Sequence, residues 1–161
     1  RPMAITIEKI SYQNKKDARI LETVLTNWFK DPKELNLTSP NMSYPFKFKK
    51  WLMLTDTDQE IHSFVMKSED WIIGMGSLRI IPDTKRAHAY HIFIDPEYRQ
   101  KGLAEKMVHH LESLGRSEKM EVMTLRVVPK NKPAIKLYKK LGFEETASSK
   151  RKGLFFEKKL N

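Results

Sequence analysis

The chain has 161 residues, 40 % of them hydrophobic and 31 % charged, enough for one domain with its own core and too few for two comfortable ones. It contains no cysteine, which excludes disulfides, thiolate metal sites and a covalent cysteine nucleophile. Its formal charge of +10 and isoelectric point near 9.7 suit either a polyanionic partner (nucleic acid, an acidic surface, a phosphate-rich cofactor) or simply a soluble, lysine-rich surface. No apolar run approaches the ~18 residues of a membrane span, and the start "RPMAITIEKI" lacks a secretory pattern. The expectation is a cytoplasmic protein with no membrane partner. Met3 reads as a native start, with Arg1 and Pro2 extra to it, although the sequence leaves that open.

In chain order, "AITIEKI" alternates as a first strand. Asp17 to Lys30 is expected to be helical, because Leu21, Val24, Leu25 and Trp28 form one apolar stripe. From Asp31 to Asp58 the prolines Pro32, Pro40 and Pro45 interrupt the period. This predicts a long irregular connection with a short helix before or around Trp51, either a functional segment or a surface excursion. "IHSFVMK", "WIIGMGSLRII" and "RAHAYHIFI" read as three antiparallel strands with short links. Lys101 to Ser117 is helix-like, Val122 to Val128 a buried strand, and "NKPAIKLYKKLGF" a short helix with Asn131 as N-cap and Gly142 at its end. "FEETAS" and "KGLFFEKKL" close the chain as two strands. The expectation is a mixed α/β (α+β) domain over residues 1–161, with one sheet and helices packed on it.

Two places carry chemistry. Strand residue Ile94 leads through Asp95-Pro96 and Arg99-Gln100-Lys101-Gly102-Leu103-Ala104 into a helix. The first N–H groups of a helix lack intrahelical partners, and with the dipole they make an anion site. Gly102 either lets a backbone approach an anion or only makes a turn. Downstream, Tyr138 shares a stripe with Ala134, Leu137 and Leu141. It is either a packing tyrosine or one whose hydroxyl reaches the stripe's edge.

Together these segments resemble the GCN5-related N-acetyltransferase (GNAT) family. Its R/Q-x-x-G-x-G/A signature is matched by Arg99, Gly102 and Ala104. Its N-x-x-A-x-x-x-Y-x-x-x-G-F run is matched by Asn131, Ala134, Tyr138, Gly142 and Phe143. The similarity is close over Trp71 to Glu145 and only general before it. The resemblance implies a mostly antiparallel sheet splayed between its fourth and fifth strands and flanked by helices. It implies acetyl-CoA as co-substrate and no metal. Ile92, Phe93 and Ile94 would offer backbone groups to the pantetheine arm and acetyl carbonyl. Arg99, Gln100, Lys101, Gly102, Leu103 and Ala104 would hold the pyrophosphate, and Asn131 and Ala134 would contact the cofactor. Tyr138 would be the general acid at sulfur.

The implied reaction is direct acetyl transfer to a primary amine of a small molecule or protein N-terminus. Residues 31–58 would vary with the acceptor. The strand before the signature holds no carboxylate, and His88 is the expected base, with water or a group between Asp31 and Asp58 in reserve. His91 is expected on the opposite face from His88 by alternation. His109 and His110, helix neighbours about 100° apart, do not suit a metal. A cationic acceptor such as a polyamine would call on Glu34, Asp56, Asp58 and Glu60, whereas the net charge favours an anionic acceptor. Two other readings stand beside this one. One is a basic nucleic-acid-binding module gripping through "KFKKW" and "KRKGLFF"; the other is an acyl-CoA-binding relative without catalysis. Family members include dimers, so a homodimer is an expected state.

Overall fold

Alternating apolar residues make seven strands and periodic stripes make five helices in the computed structural model, which describes residues 4–55, 60–146 and 153–161. In chain order they are β1 (Ile5–Ile10), α1 (Lys15–Trp28), α2 (Pro32–Thr38), α3 (Phe48–Thr55), β2 (Glu60–Ser68), β3 (Trp71–Ile81), β4 (Arg86–Ile94), α4 (Leu103–Ser117), β5 (Val122–Val127), α5 (Lys132–Lys140), β6 (Glu144–Thr146) and β7 (Leu154–Lys159). The strands form one sheet in the order β1-β2-β3-β4-β5-β7-β6. Every neighbouring pair is antiparallel except β4 and β5. The expected mixed, mostly antiparallel sheet is therefore present. No helix among the described residues is long and apolar enough to cross a membrane.

Side-chain caps set the helix starts. Asn14 accepts from the Asp17 N–H, Asp31 from the Lys33 N–H, and Asn131 from the Ala134 N–H. The segment from Asp31 is more ordered than its sequence suggests. Pro32 sits in the first turn of α2, where its missing N–H costs nothing, so it begins a helix that it was expected to break. Pro40 and Pro45 do fall between helices, in the link from α2 to α3.

Apolar burial occurs on both faces of the sheet. On one face Met107 and Leu111 of α4 pack on Leu78, Ala89 and Met123. On the other, Leu25, Phe29 and Trp51 from α1, its C-terminal end and α3 cover Val65, Met75 and Phe93. An ion pair at 2.6 Å from Lys158 on β7 to the buried Glu112 ties α4 to the sheet.

Two irregularities in β4 open the sheet. Its parallel pairing with β5 covers only Arg86↔Val122, Ala87↔Met123 and His88↔Thr124, after which the strands part. Against β3 the register runs Met75↔Phe93 but Ser77↔Tyr90, so β4 holds one extra residue there. His91, with φ 53, sits at that bulge.

Trp51 is fully buried, stacks on the His91 ring at 4.0 Å and donates its indole N–H to Tyr12 Oη. Trp51→Ala is expected to lower the unfolding free energy by about 3–5 kcal/mol, measured from the denaturant midpoint. A loss below about 1 kcal/mol would mean that α3 does not anchor this face.

Candidate functional site

The parting of β4 from β5 opens a cavity of about 540 Å³ between Ile92–Ile94 on one side and α5 on the other. The loop before α4 closes one end, and α2 reaches over it with Lys33, Glu34 and Leu37. The loop's shape is set locally. Asp95 caps the turn Pro96–Tyr98 through the Glu97 N–H, and its other carboxylate oxygen accepts the Trp28 indole N–H at 3.0 Å. Gln100 and Gly102 both take left-handed conformations, φ 62 and φ 76. A Cβ on Gly102 would meet no protein atom within 4 Å. Packing therefore does not demand glycine; the backbone angle favours it, and the space beside it belongs to the cavity. Gly102 is the N-cap of α4 and supplies no side-chain cap, so the first N–H groups of that helix stay available to an anion.

Arg99 is engaged differently from the expectation. Its two Nη groups donate to both carboxylate oxygens of the buried Glu34 at 3.0 and 2.8 Å, and its Nε to the Ile94 carbonyl. The guanidinium thus fastens α2 to the loop. Lys33 and Lys130 also line the cavity, as does Lys140, which is paired with Glu105 at 3.2 Å.

Asn131 and Tyr138 face the same cavity from α5. Tyr138 is 7 % exposed and packs its ring on Phe143 at 5.8 Å. Its hydroxyl has no hydrogen bond among the described residues, and burial pushes its pKa up to about 12. It is a protonated donor at any working pH.

A second cavity of about 240 Å³ lies on the other side of the splay. Leu37 of α2 lines both. Its walls include Arg79 on β3, His88, Tyr90 and His91 on β4, and Arg126 on β5. His88 and His91 were expected on opposite faces, but the bulge removes one step of the alternation and both line this cavity. His88 Nδ1 is 2.8 Å from Thr124 Oγ1. Burial first, then the charges of Arg86, Arg79 and Arg126, hold the His88 pKa down to about 3. Burial first, then Arg79, does the same to His91, also to about 3. As a base at neutral pH, His88 is therefore weak, because a proton there would be desolvated among three guanidinium groups. At the bulge itself, His91 and Ile92 have no register partner on β3, and β5 has already diverged.

Residues 23–143, more than half of the chain, match the model of the acetyltransferase (GNAT) family. The chain belongs to the acetyltransferase (GNAT) family. Among curated GNAT relatives, an N-alpha-acetyltransferase of Sulfurisphaera tokodaii is 30 % identical over 94 residues, covering 57 % of this chain and 55 % of that protein. Human N-acetyltransferase 8 is 30 % identical over 90 residues, covering 53 % of this chain and 40 % of the relative. The chain spans about half the length of the curated relatives it matches. A solved structure of PaiA N-acetyltransferase from Thermoplasma acidophilum in complex with coenzyme A superimposes with TM-score 0.71 at 19 % identity, covering 98 % of this chain and 99 % of that one.

Within this GNAT fold most residues singled out from the sequence line the first cavity: Ile92, Phe93, Ile94, Arg99, Gln100, Gly102, Leu103, Ala104, Asn131, Ala134 and Tyr138. Lys101 is not among its lining residues, and His88 lies in the second cavity instead. The two described members of the acidic set expected for a polyamine are engaged separately. Glu34 is paired with Arg99, Glu60 contacts His62 on β2, and Asp56 and Asp58 lie outside the described residues. Glu60 and His62 come together with Glu118, but the Lys9 ammonium is 3.0 Å from His62 Nδ1, and this exposed group supports no metal assignment. The aromatic residues of the two basic runs are engaged in the fold to differing degrees among the described residues, with Phe48 half-buried beside Tyr12. Trp51, Phe155 and Phe156 of "KFKKW" and "KRKGLFF" are buried, and Lys150, Arg151 and Lys152 lie outside them. Sequence reading missed α2 and the arginines Arg79 and Arg126. Their available signals were the Asp31-Pro32 helix start and single cations inside otherwise apolar strands.

Both cavity histidines have folded pKa values near 3 against an ordinary 6.5. The unfolded chain binds protons there before the folded one does, so stability is full above pH 6.5 and is lost as the pH falls toward 3. The Tm is expected to fall across this window, with a shallower slope in His88→Gln. A Tm that holds constant down to pH 4 would contradict this assignment.

Proposed function

We propose that this protein moves the acetyl group of acetyl-CoA directly onto a primary amine. The observation that carries the reading is the cleft opened by β4 and β5, with a helix-N-terminal anion site at one end, Tyr138 on its wall and a second cavity beyond it. The coenzyme A bound to the similar T. acidophilum protein supports the choice of donor.

In this reading the loop at Gly102 and the first N–H groups of α4 take the pyrophosphate. The unladdered backbone at the bulge offers an N–H to the thioester carbonyl as its oxygen gains charge. The amine nitrogen attacks that carbonyl, a C–N bond forms and the C–S bond breaks. Tyr138 Oη gives a proton to the departing thiolate. The nitrogen loses its extra proton to water, with His88 as its hydrogen-bond partner. A histidine with pKa about 3 accepts such a bond without keeping the proton. The absence of cysteine supports direct transfer over a cysteine acyl-enzyme.

Thiol release from acetyl-CoA, followed with a panel of amino acids, amines and peptides, tests the reading. Release with at least one acceptor class is expected. Acetyl-CoA binding by calorimetry without release from any acceptor would point to the non-catalytic relative. Tyr138→Phe should lower kcat by about 100-fold or more with little change in the KM for acetyl-CoA. Gly102→Val fills the open space and strains φ 76, and should raise that KM by about tenfold or more. Because His88 is already neutral, kcat/KM should rise with the acceptor amine's own deprotonation and show no inflection near pH 6.5. An inflection there that disappears in His88→Ala would restore His88 as the base.

A further inference from the structure

The second cavity has a composition that selects among amines. It brings two guanidinium groups, Arg79 and Arg126, to one small space with Tyr90 and two neutral histidines, and among the described residues no Asp or Glu lines it. Arg79 starts level with His88 in the β3–β4 register. Its guanidinium carbon nevertheless lies 5.0 Å from the Tyr90 ring centroid, so the side chain leans along the sheet toward the bulge. Arg126 lies two residues past Thr124, the partner of His88, with its guanidinium over Phe155. Both cations thus stand beside the stretch of β4 that runs from His88 to the splay. Arg79 Nε and His91 Nδ1 are buried there without a hydrogen-bond partner among the described residues. A buried donor on a cation left without an acceptor is costly, and an anionic ligand removes that cost.

Resting on the acetyl-transfer reading above, we infer that the acceptor is a small amino acid, a primary amine whose carboxylate is held by Arg79, with Arg126 lending its charge nearby, while its nitrogen points to the bulge at His91 and Ile92. The cavity of about 240 Å³ suits a molecule of that size. A polycation would meet two guanidinium groups, and none of the described lining residues offers it a carboxylate. Trp51, stacked on His91, and the Leu37–Asn41 stretch close the site from the α2–α3 side.

Matched pairs test the inference: amino acids of differing amine-to-carboxylate spacing, each against the amine left when its carboxylate is removed, with spermidine and an acidic peptide as further arms. Thiol release should favour the amino acid by about 10- to 100-fold in kcat/KM, the scale of one or two charge-assisted hydrogen bonds. Arg79→Gln should erase most of that preference and Arg79→Lys retain part of it, while the KM for acetyl-CoA stays within about twofold. Calorimetric titration of the same pairs into the CoA-saturated protein reads the preference without turnover. Equal or better use of the decarboxylated amines or spermidine overturns the inference and leaves acetyl transfer standing. Selective use of the acidic peptide over free amino acids overturns the small-molecule assignment. Selective binding of amino acids with no thiol release from any arm keeps the inference about the ligand and overturns acetyl transfer.

Discussion

Two neighbouring parallel strands that stop pairing leave a row of backbone groups and a wedge of space, and the site of this protein is built around that defect. β4 and β5 share three register pairs and then part after His88 and Thr124. Such a gap is tolerable only because both outer faces are sealed. Met107 and Leu111 of α4 hold one face, and Phe29 and Trp51 hold the other. The helices therefore keep a sheet intact that is locally open by design of its register. The same gap decides where every other functional group must stand, because both cavities are defined by its edges.

The bulge at His91 is the second half of that constraint. One extra residue in β4 reverses the alternation. Ala87 and Ala89 pack toward α4 while Phe93, beyond the bulge, packs toward Trp28 and Phe29. The bulge also turns His91 into the cavity that His88 and Tyr90 line. Its cost is a left-handed non-glycine residue at φ 53, the kind of local strain that a surrounding structure must hold in place. The Trp51 ring, stacked at 4.0 Å, is what holds it.

Charge is divided between the two cavities with a purpose that net charge conceals. In the first cavity Lys33 and Lys130 line the wall while Arg99 is spent on Glu34, joining α2 to the loop before α4, and Lys140 on Glu105. In the second cavity burial, with Arg79 and, for His88, Arg86 and Arg126 adding to it, keeps two histidines neutral. A formal charge of +10 would be compatible with nucleic acid, yet the aromatic residues beside the basic runs are spent on the core. Leu37 lies where the two cavities meet, which gives α2 a hand in both.

The strands, the α4 and α5 helices and most residues that line the first cavity beside them were legible in the sequence because their signals are local. Periodicity marks the stripes, Asn131 and Gly142 mark the ends of a helix, and Gly102 with Arg99 and Ala104 marks a loop of fixed spacing. Local signals do not report who sits across from whom. The capture of Arg99 by Glu34, 65 residues away, the turning of His91 onto the His88 side, and the meeting of Arg79 with Arg126 all depend on contacts between distant strands and helices. The same holds for the low proton affinity of His88, which burial imposes first and three arginines from three strands deepen. By itself the sequence determined the fold family and pointed to most residues of the first cavity; only the tertiary structure decided the electrostatics of the second, because fields add over space and not along the chain.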